Sequence, residues 1–303
     1  MASKLFDLIF FGRPLLIIPV WTVYLHFMTS SHPALNFVLI PSVALIMQLV
    51  ALTLVFKGVY VFNQLFDIES DRINDKLHFL PRGIISVKTA WIYYSILTLA
   101  GLVVALTVSK ETFFITAAIT VLGVLYSVPG IRLKDRAVSG LLANSIAYGL
   151  LVPMTLIPDR LIHPEGLSTI PYFLAIATGY VLTTIPDREG DAVSGKRTIA
   201  VIIGIKGSLI LALLLGIATL VSSYLTANQE MQIVAVVTTL LIIGLLIHYR
   251  PGLMLFACKF PILLLTLLAC IHAPFYFPVL LLTIVLTRVY YKYRFEISYP
   301  RLR

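Results

Sequence analysis

Charge is scarce in this chain. Only 12% of its 303 residues are Asp, Glu, Lys or Arg, against 59% hydrophobic residues. A soluble domain of this size does not need so much apolar surface, so composition excludes one and points to a multispanning membrane protein. Cysteine is nearly absent: Cys258 and Cys270 both lie in apolar segments and read as buried free thiols rather than a disulfide or a metal pair. The six histidines are scattered, with no two spaced like a metal site, and His26 and His248 fall at helix ends or interfaces. There is no Walker-type glycine loop, which argues against a nucleoside triphosphate site. No cleavable signal peptide is visible: Met1 to Arg13 is short and mixed, and the apolar run after it continues into an ordinary span.

What is present is a series of apolar segments, at 14–31, 36–66, 86–108, 112–130, 137–157, 168–186, 205–226, 231–248, 252–272 and 275–291. Each is about long enough to cross a bilayer as a helix, which needs about 20 residues, and lipid favours helices because every backbone group must be satisfied internally. The expected fold is an all-α polytopic helix bundle around a central cavity, a single transmembrane domain over 1–303. Nine spans are expected, with ten the alternative: Pro274 and the short link to Phe277 leave the last two segments as two spans, or as one span and a re-entrant piece.

The net charge of +9 is distributed as a topology signal, and no nucleic-acid partner is expected. Arg72, Lys76 and Arg82 lie between spans two and three, Arg132, Lys134 and Arg136 between four and five, and Arg188, Lys196, Arg197 and Lys206 between six and seven. The opposite loops carry only Lys110 and Arg160. The positive-inside rule makes the basic loops cytoplasmic. The basic tail after Tyr290 also prefers the cytoplasm, which conflicts with an odd number of spans.

Half of the acidic residues, seven of fourteen, fall in two short clusters at span ends 120 residues apart. One holds Asp67, Glu69, Asp71 and Asp75; the other holds Asp187, Glu189 and Asp191. Carboxylates beside a membrane interior are functional candidates by default. Four-residue spacing stacks Asn63, Asp67, Asp71 and Asp75 roughly on one helical face, where like charges repel unless a cation intervenes. Hard oxygen ligands of this kind suit Mg²⁺. Each cluster is followed by bases, and acids interleaved with bases suit a metal-bound polyphosphate. The surrounding spans are rich in Leu, Ile, Val, Phe and Tyr, which fits a molecule with a diphosphate head and an apolar tail. Loss of diphosphate from an allylic prenyl chain leaves a carbocation that the face of Tyr126, Tyr148 or Tyr180 could stabilise. A structural origin competes for each group. The loop cations also set topology, Glu69 and Glu189 fall off the stacked face, Asp75 either extends the site or pairs with Lys76 or Arg72, and Lys57 inside the second span either snorkels or faces a cavity.

The pattern Asn63-x₃-Asp67-x₃-Asp71, with Asp187-x₃-Asp191 on a later span, resembles the UbiA superfamily of intramembrane prenyltransferases. Arg13-Pro14, Tyr126-Ser127-Val128-Pro129 before Arg132-Leu133-Lys134, and Gly195-Lys196-Arg197-Thr198 are further matches, and the resemblance runs from about residue 10 to 210. It implies two Mg²⁺ ions held by Asn63, Asp67, Asp71, Asp187 and Asp191, and an isoprenyl diphosphate between the motifs. Arg72, Lys76, Arg82, Arg132, Lys134, Lys196 and Arg197 would contact the diphosphate. Catalysis would rest on Asp67, Asp71, Asp187, Asp191 and Tyr126. The expected protein is a multi-pass membrane transferase, with its active site on the cytoplasmic side, that passes a prenyl group to an aromatic quinone precursor or a lipid acceptor.

One departure from the family bears on the acceptor. Many members carry a third aspartate where this chain has Thr184, which disfavours a hydroxybenzoate. With the apolar stretch Phe79-Leu80 in the first loop, that favours a naphthoate or a lipid. A cation-coupled transporter using acids on two helices is the alternative function. A lipid diphosphate phosphatase is a third, without a His nucleophile motif to support it.

Overall fold

The computed structural model describes residues 2–31, 37–73, 79–157, 164–297 and Tyr299. In chain order the helices are α1 Ala2–Phe11, α2 Ile18–Ser31, α3 Val43–Phe66, α4 Ile68–Ile73, α5 Val87–Val108, α6 Lys110–Ser127 and α7 Ala137–Asn144. They continue as α8 Val152–Met154, α9 Ile170–Thr184, α10 Arg188–Val193, α11 Ile199–Leu225, α12 Gln229–Ile247, α13 Pro251–His272 and α14 Tyr276–Phe295. The described residues contain no strand. Nine helical stretches among them are long and apolar enough to cross a membrane. The 20-residue α14 is not one of the nine and carries Arg288, Lys292 and Arg294.

Contacts divide the chain into two compact units, one of 1–21, 39–131 and 274–303, the other of 22–38 and 132–273. In the first unit α3 packs on α5 and α6. Ser42, Ser86 and Ser109 cap α3, α5 and α6 by accepting from Leu45, Thr89 and Thr112 amides, a start signal that a hydroxyl supplies where the first N–H groups lack helical partners. The sequence leaves Met1 to Arg13 unassigned, and the structure folds most of it into α1. The helix stops at Arg13, whose φ of 51° is left-handed, and resumes as a 3₁₀ turn from Pro14. A break at this depth exposes carbonyls that lipid cannot satisfy. Gln64 Nε2 donates to the Phe11 carbonyl at 3.0 Å, the Tyr60 hydroxyl to that of Leu16 at 2.8 Å, and the Tyr276 hydroxyl to that of Ile18 at 3.1 Å.

Phe79 and Leu80 join Phe10, Phe11, Val61 and Tyr291 in the core of this unit. The apolar loop therefore contributes to packing. Asp7, buried in α1, accepts from Arg294 Nε at 2.9 Å and Nη2 at 3.1 Å and from the Tyr290 hydroxyl, tying α1 to α14.

In the second unit α9 packs on α11, and α11 on α12. The segment expected as one span over 137–157 is α7, a π-helical stretch Ser145–Leu151, then α8. Wide π turns inside helices tend to mark functional or strained places. Gly149 in that stretch lies against α9 so closely that a Cβ would sit 2.5 Å from Phe173 Cα and 2.7 Å from the Tyr172 carbonyl oxygen. The span expected to begin at 205 begins at Ile199, and Gly204, with φ 70°, kinks it. Cys258 and Cys270 are free, half-buried thiols.

Candidate active site

The acidic motifs have the same local build. In the first unit α3 ends at Phe66, Asp67 caps it with φ −109° and ψ 8°, and the six-residue α4 carries Asp71. In the second unit α9 ends at Thr184, turns lead through Asp187, and the six-residue α10 carries Asp191. The amides of Asp71 and Asp191 bond the carbonyls of Asp67 and Asp187 at 2.7 and 2.9 Å. Each pair of carboxylates is thus one turn apart on backbone that is not free to drift. The expected single helical face is interrupted between Asn63 and Asp71, because the helix breaks at Asp67. Asp75 and Lys76 lie outside the described residues.

Asn63 Nδ2 donates to Ser127 Oγ at 2.9 Å, which orients the amide and ties the end of α3 to the end of α6, next to Tyr126. Ser127 is fully buried and Asp71 is 9% exposed. Arg72, itself exposed, pairs with Glu69 at 3.1 Å, and Arg82 is exposed on the loop after α4. A surface pair of this kind contributes little to stability.

In the second unit Lys196 Nζ lies 3.2 Å from Asp191 Oδ1, and the Lys196 amide bonds the Asp191 carbonyl at 2.9 Å. Gly195, with φ 72°, makes the turn that returns the chain. The Arg197 amide bonds the Asp135 carbonyl at 2.8 Å, and Arg136 and Arg197 form a parallel bridge. The loop that carries Arg132 and Lys134 is so joined to the one that carries Lys196 and Arg197. Arg132 lies 3.6 Å from Asp135 in a left-handed turn with φ 39°. Tyr180 packs over Gly140, where a Cβ would stand 2.2 Å from its hydroxyl. The Thr184 hydroxyl, at the position of the missing third aspartate, donates to the Val181 carbonyl at 2.7 Å.

Among the described residues, no three His, Cys, Asp or Glu side chains come close enough to hold a metal ion by themselves. Each motif instead presents two carboxylates, with the Asn63 amide beside the first. That donor set fits Mg²⁺, which usually keeps several waters and takes one or two carboxylates plus substrate phosphate oxygens.

The sequence missed one cluster. His26, Tyr172, Glu230 and His272 meet in the second unit, with His26 Nδ1 2.6 Å from the Tyr172 hydroxyl and His272 Nε2 2.6 Å from Glu230 Oε1. The two histidines are 246 residues apart, and no local signal links them.

Helical spans ending in paired aspartates, each with an adjacent basic loop, define a polytopic membrane protein. Residues 16–252 match the UbiA prenyltransferase family, and the chain belongs to it. It is 28% identical over 190 residues to digeranylgeranylglyceryl phosphate synthase of Sulfurisphaera tokodaii, covering 60% of this chain and 66% of that one. It is 32% identical over 186 residues to the synthase of Pyrococcus furiosus, covering 57% and 64%. The chain thus spans a little under two thirds of these curated relatives. A solved digeranylgeranylglyceryl phosphate synthase shares the fold with a TM-score of 0.69 at 21% identity, covering 89% of this chain and 98% of that one. A UbiA homologue from Archaeoglobus fulgidus bound to DMAPP and Mg²⁺ does so with a TM-score of 0.65 at 17% identity, covering 86% and 97%.

Proposed function

We propose that this protein is a Mg²⁺-dependent prenyltransferase that moves a prenyl group from an isoprenyl diphosphate to a glyceryl-phosphate lipid. The observation that carries the reading is the pair of aspartate motifs, each one turn apart at a span end with a basic loop beside it. Asn63, Asp67, Asp71, Asp187 and Asp191 hold two Mg²⁺ ions. Bound Mg²⁺ neutralises charge on the diphosphate and so makes it a better leaving group. Arg72, Lys76, Arg82, Arg132, Lys134, Lys196 and Arg197 take the remaining phosphate charge. The face of Tyr126, one residue from the Ser127 that orients Asn63, stabilises the allylic cation. Tyr148 and Tyr180 are the further candidates.

Lys57 supports the acceptor class. It is half-buried in α3, its stem beside Gly12, and has no hydrogen-bond or ion-pair partner among the described residues. Six residues before Asn63, it lies about 9 Å deeper in the span. A lone amine there is suited to an acceptor that brings its own anion, as a glyceryl phosphate does. The names of the synthase relatives agree with that class. We read α14 as a tenth span, so both chain ends lie with the basic loops on the cytoplasmic side, where the active site opens.

The test is binding of a non-hydrolysable prenyl diphosphate analogue to the purified protein, with and without Mg²⁺, in wild type and Asp71→Ala. Mg²⁺-dependent binding lost in the variant is expected. Binding indifferent to Mg²⁺ would refute the reading and favour a transporter. Lys57→Met should raise the KM for a glyceryl-phosphate acceptor about tenfold, the loss of one charge-assisted contact, and leave analogue binding unchanged.

A further inference from the structure

The His26 cluster lies at the end of α9 remote from Asp187. Tyr172, in the first turn of α9, is 1% exposed, and its hydroxyl lies 2.6 Å from His26 Nδ1, 3.0 Å from Ser30 Oγ and 3.2 Å from Asn228 Nδ2. His26, fully buried on α2, places Nε2 2.8 Å from Glu230 Oε2, off the line of a straight hydrogen bond. The other oxygen of Glu230 takes His272 Nε2 at 2.6 Å. Asn228 donates to Tyr172, Tyr172 donates to His26 Nδ1 and His272 donates to Glu230, while His26 Nε2 faces the second Glu230 oxygen as an ion-pair neighbour. Asn228 also caps α12, accepting from the Met231 amide at 3.1 Å. One phenol and one carboxylate therefore hold α2, α9, α12 and α13 together. From the other side, Gly149 of the π-helical stretch touches the backbone of Tyr172 and Phe173.

Burying the His26 imidazole and the Tyr172 phenol beside the half-buried Glu230 and His272 is costly unless they are mutually satisfied, so the cluster calls for a role that simple apolar packing would not supply. Helix α9 supplies one. It runs 15 residues, about 22 Å, from Ile170 to Thr184. The turns after it are closed by the Ile185 amide on the Leu182 carbonyl at 3.2 Å and the Arg188 amide on the Ile185 carbonyl at 3.3 Å. No flexible link separates the clamped turn from Asp187.

We propose that His26, Tyr172, Glu230 and His272 are positioning residues: they fix the first turn of α9, and α9 carries that position to Asp187 and Asp191. The inference rests on the reading of Asp187 and Asp191 as diphosphate-motif residues, but its geometric part is measurable without it. Tyr172→Phe keeps the ring and removes the hydroxyl that three groups share. By hydrogen–deuterium exchange of the full chain in detergent, the amides of Asp191, Lys196 and Arg197 should exchange about tenfold faster than in wild type, equivalent to about 1.4 kcal/mol. The amides of α3 and α5 should be unchanged. His272→Ala, at the edge of the cluster, should produce the same pattern more weakly, and His272→Gln, which keeps an N–H donor for Glu230, should restore wild-type exchange. Faster exchange confined to the first turns of α9 and α12 in both Tyr172→Phe and His272→Ala would overturn the proposal, as would a lower melting temperature with unchanged motif exchange. In a second arm, Tyr172→Phe should raise the Mg²⁺ concentration that half-saturates analogue binding by a similar factor, with acceptor KM unchanged. Failure of wild type to bind the analogue would refute the diphosphate reading, while the exchange result would still decide the positioning role.

Discussion

Gly123→Ala is a single added methyl whose effect can be worked out from contacts. At Gly123 in α6 a Cβ would lie 2.4 Å from Val59 Cγ2, 2.6 Å from Cγ1 and 3.1 Å from Cβ. Both methyls of Val59 are in the way, and a β-branched side chain in a helix has one strongly preferred rotamer, so the helices must part. Overpacking of this severity costs about 3 kcal/mol, the upper end of the usual range. Alanine returns about 1 kcal/mol through helix propensity, leaving a net loss of about 2 kcal/mol. Gly179→Ala in α9 is the control, because a Cβ there meets nothing within 4 Å; it should stabilise by up to about 1 kcal/mol. The assay is denaturant unfolding in detergent. Adding Val59→Ala should rescue Gly123→Ala, with a coupling energy of about 1 kcal/mol or more. Four residues on along both helices, Asn63 bonds Ser127. The same displacement should therefore weaken Mg²⁺-dependent analogue binding. Equal stability of the two alanine variants, or no rescue by Val59→Ala, would refute the argument.

The remaining predictions test other parts of the structure. Gly149→Ala should destabilise by about 1–3 kcal/mol, because its Cβ would meet backbone atoms of Tyr172 and Phe173 rather than a movable side chain; thermal unfolding reads this. Arg294→Met should cost about 2 kcal/mol by leaving the buried Asp7 carboxylate without its charged donor, and Asp7→Asn in the same chain should recover part of the loss. Ser127→Ala should raise half-saturating Mg²⁺ in the analogue assay about tenfold or less, the worth of one hydrogen bond that orients Asn63, with Ser127→Thr close to wild type.

Particular residues show where the sequence is legible. Asp67 and Asp71 stand out because carboxylates are rare in this chain and, with Asn63, they recur at a helical interval, and Asp187 and Asp191 repeat the interval at another span end. The break at Asp67 is not legible, since spacing alone cannot distinguish one long helix from a helix, a tight turn and a short helix. Phe79 and Leu80 read as an unusual loop because loops are assumed to be solvated; the structure buries them against Phe10 and Tyr291. The scattered histidines carry no visible pattern, yet His26 and His272 share Glu230.

The sequence by itself determined the class of fold and the apolar segments from which the spans are built, and it marked the paired aspartates as candidates. Hydropathy, charge and helical interval are properties of neighbouring residues, and lipid leaves the backbone little choice but helix. Only the tertiary structure decided which distant segments meet: Asn63 with Ser127, the Arg132–Arg136 loop with Arg197, and His26 with Glu230 and His272. Between apolar helices in lipid, lateral packing is decided by close-fitting small residues and by polar partners. A glycine such as Gly123 shows its meaning only once Val59 is placed opposite it.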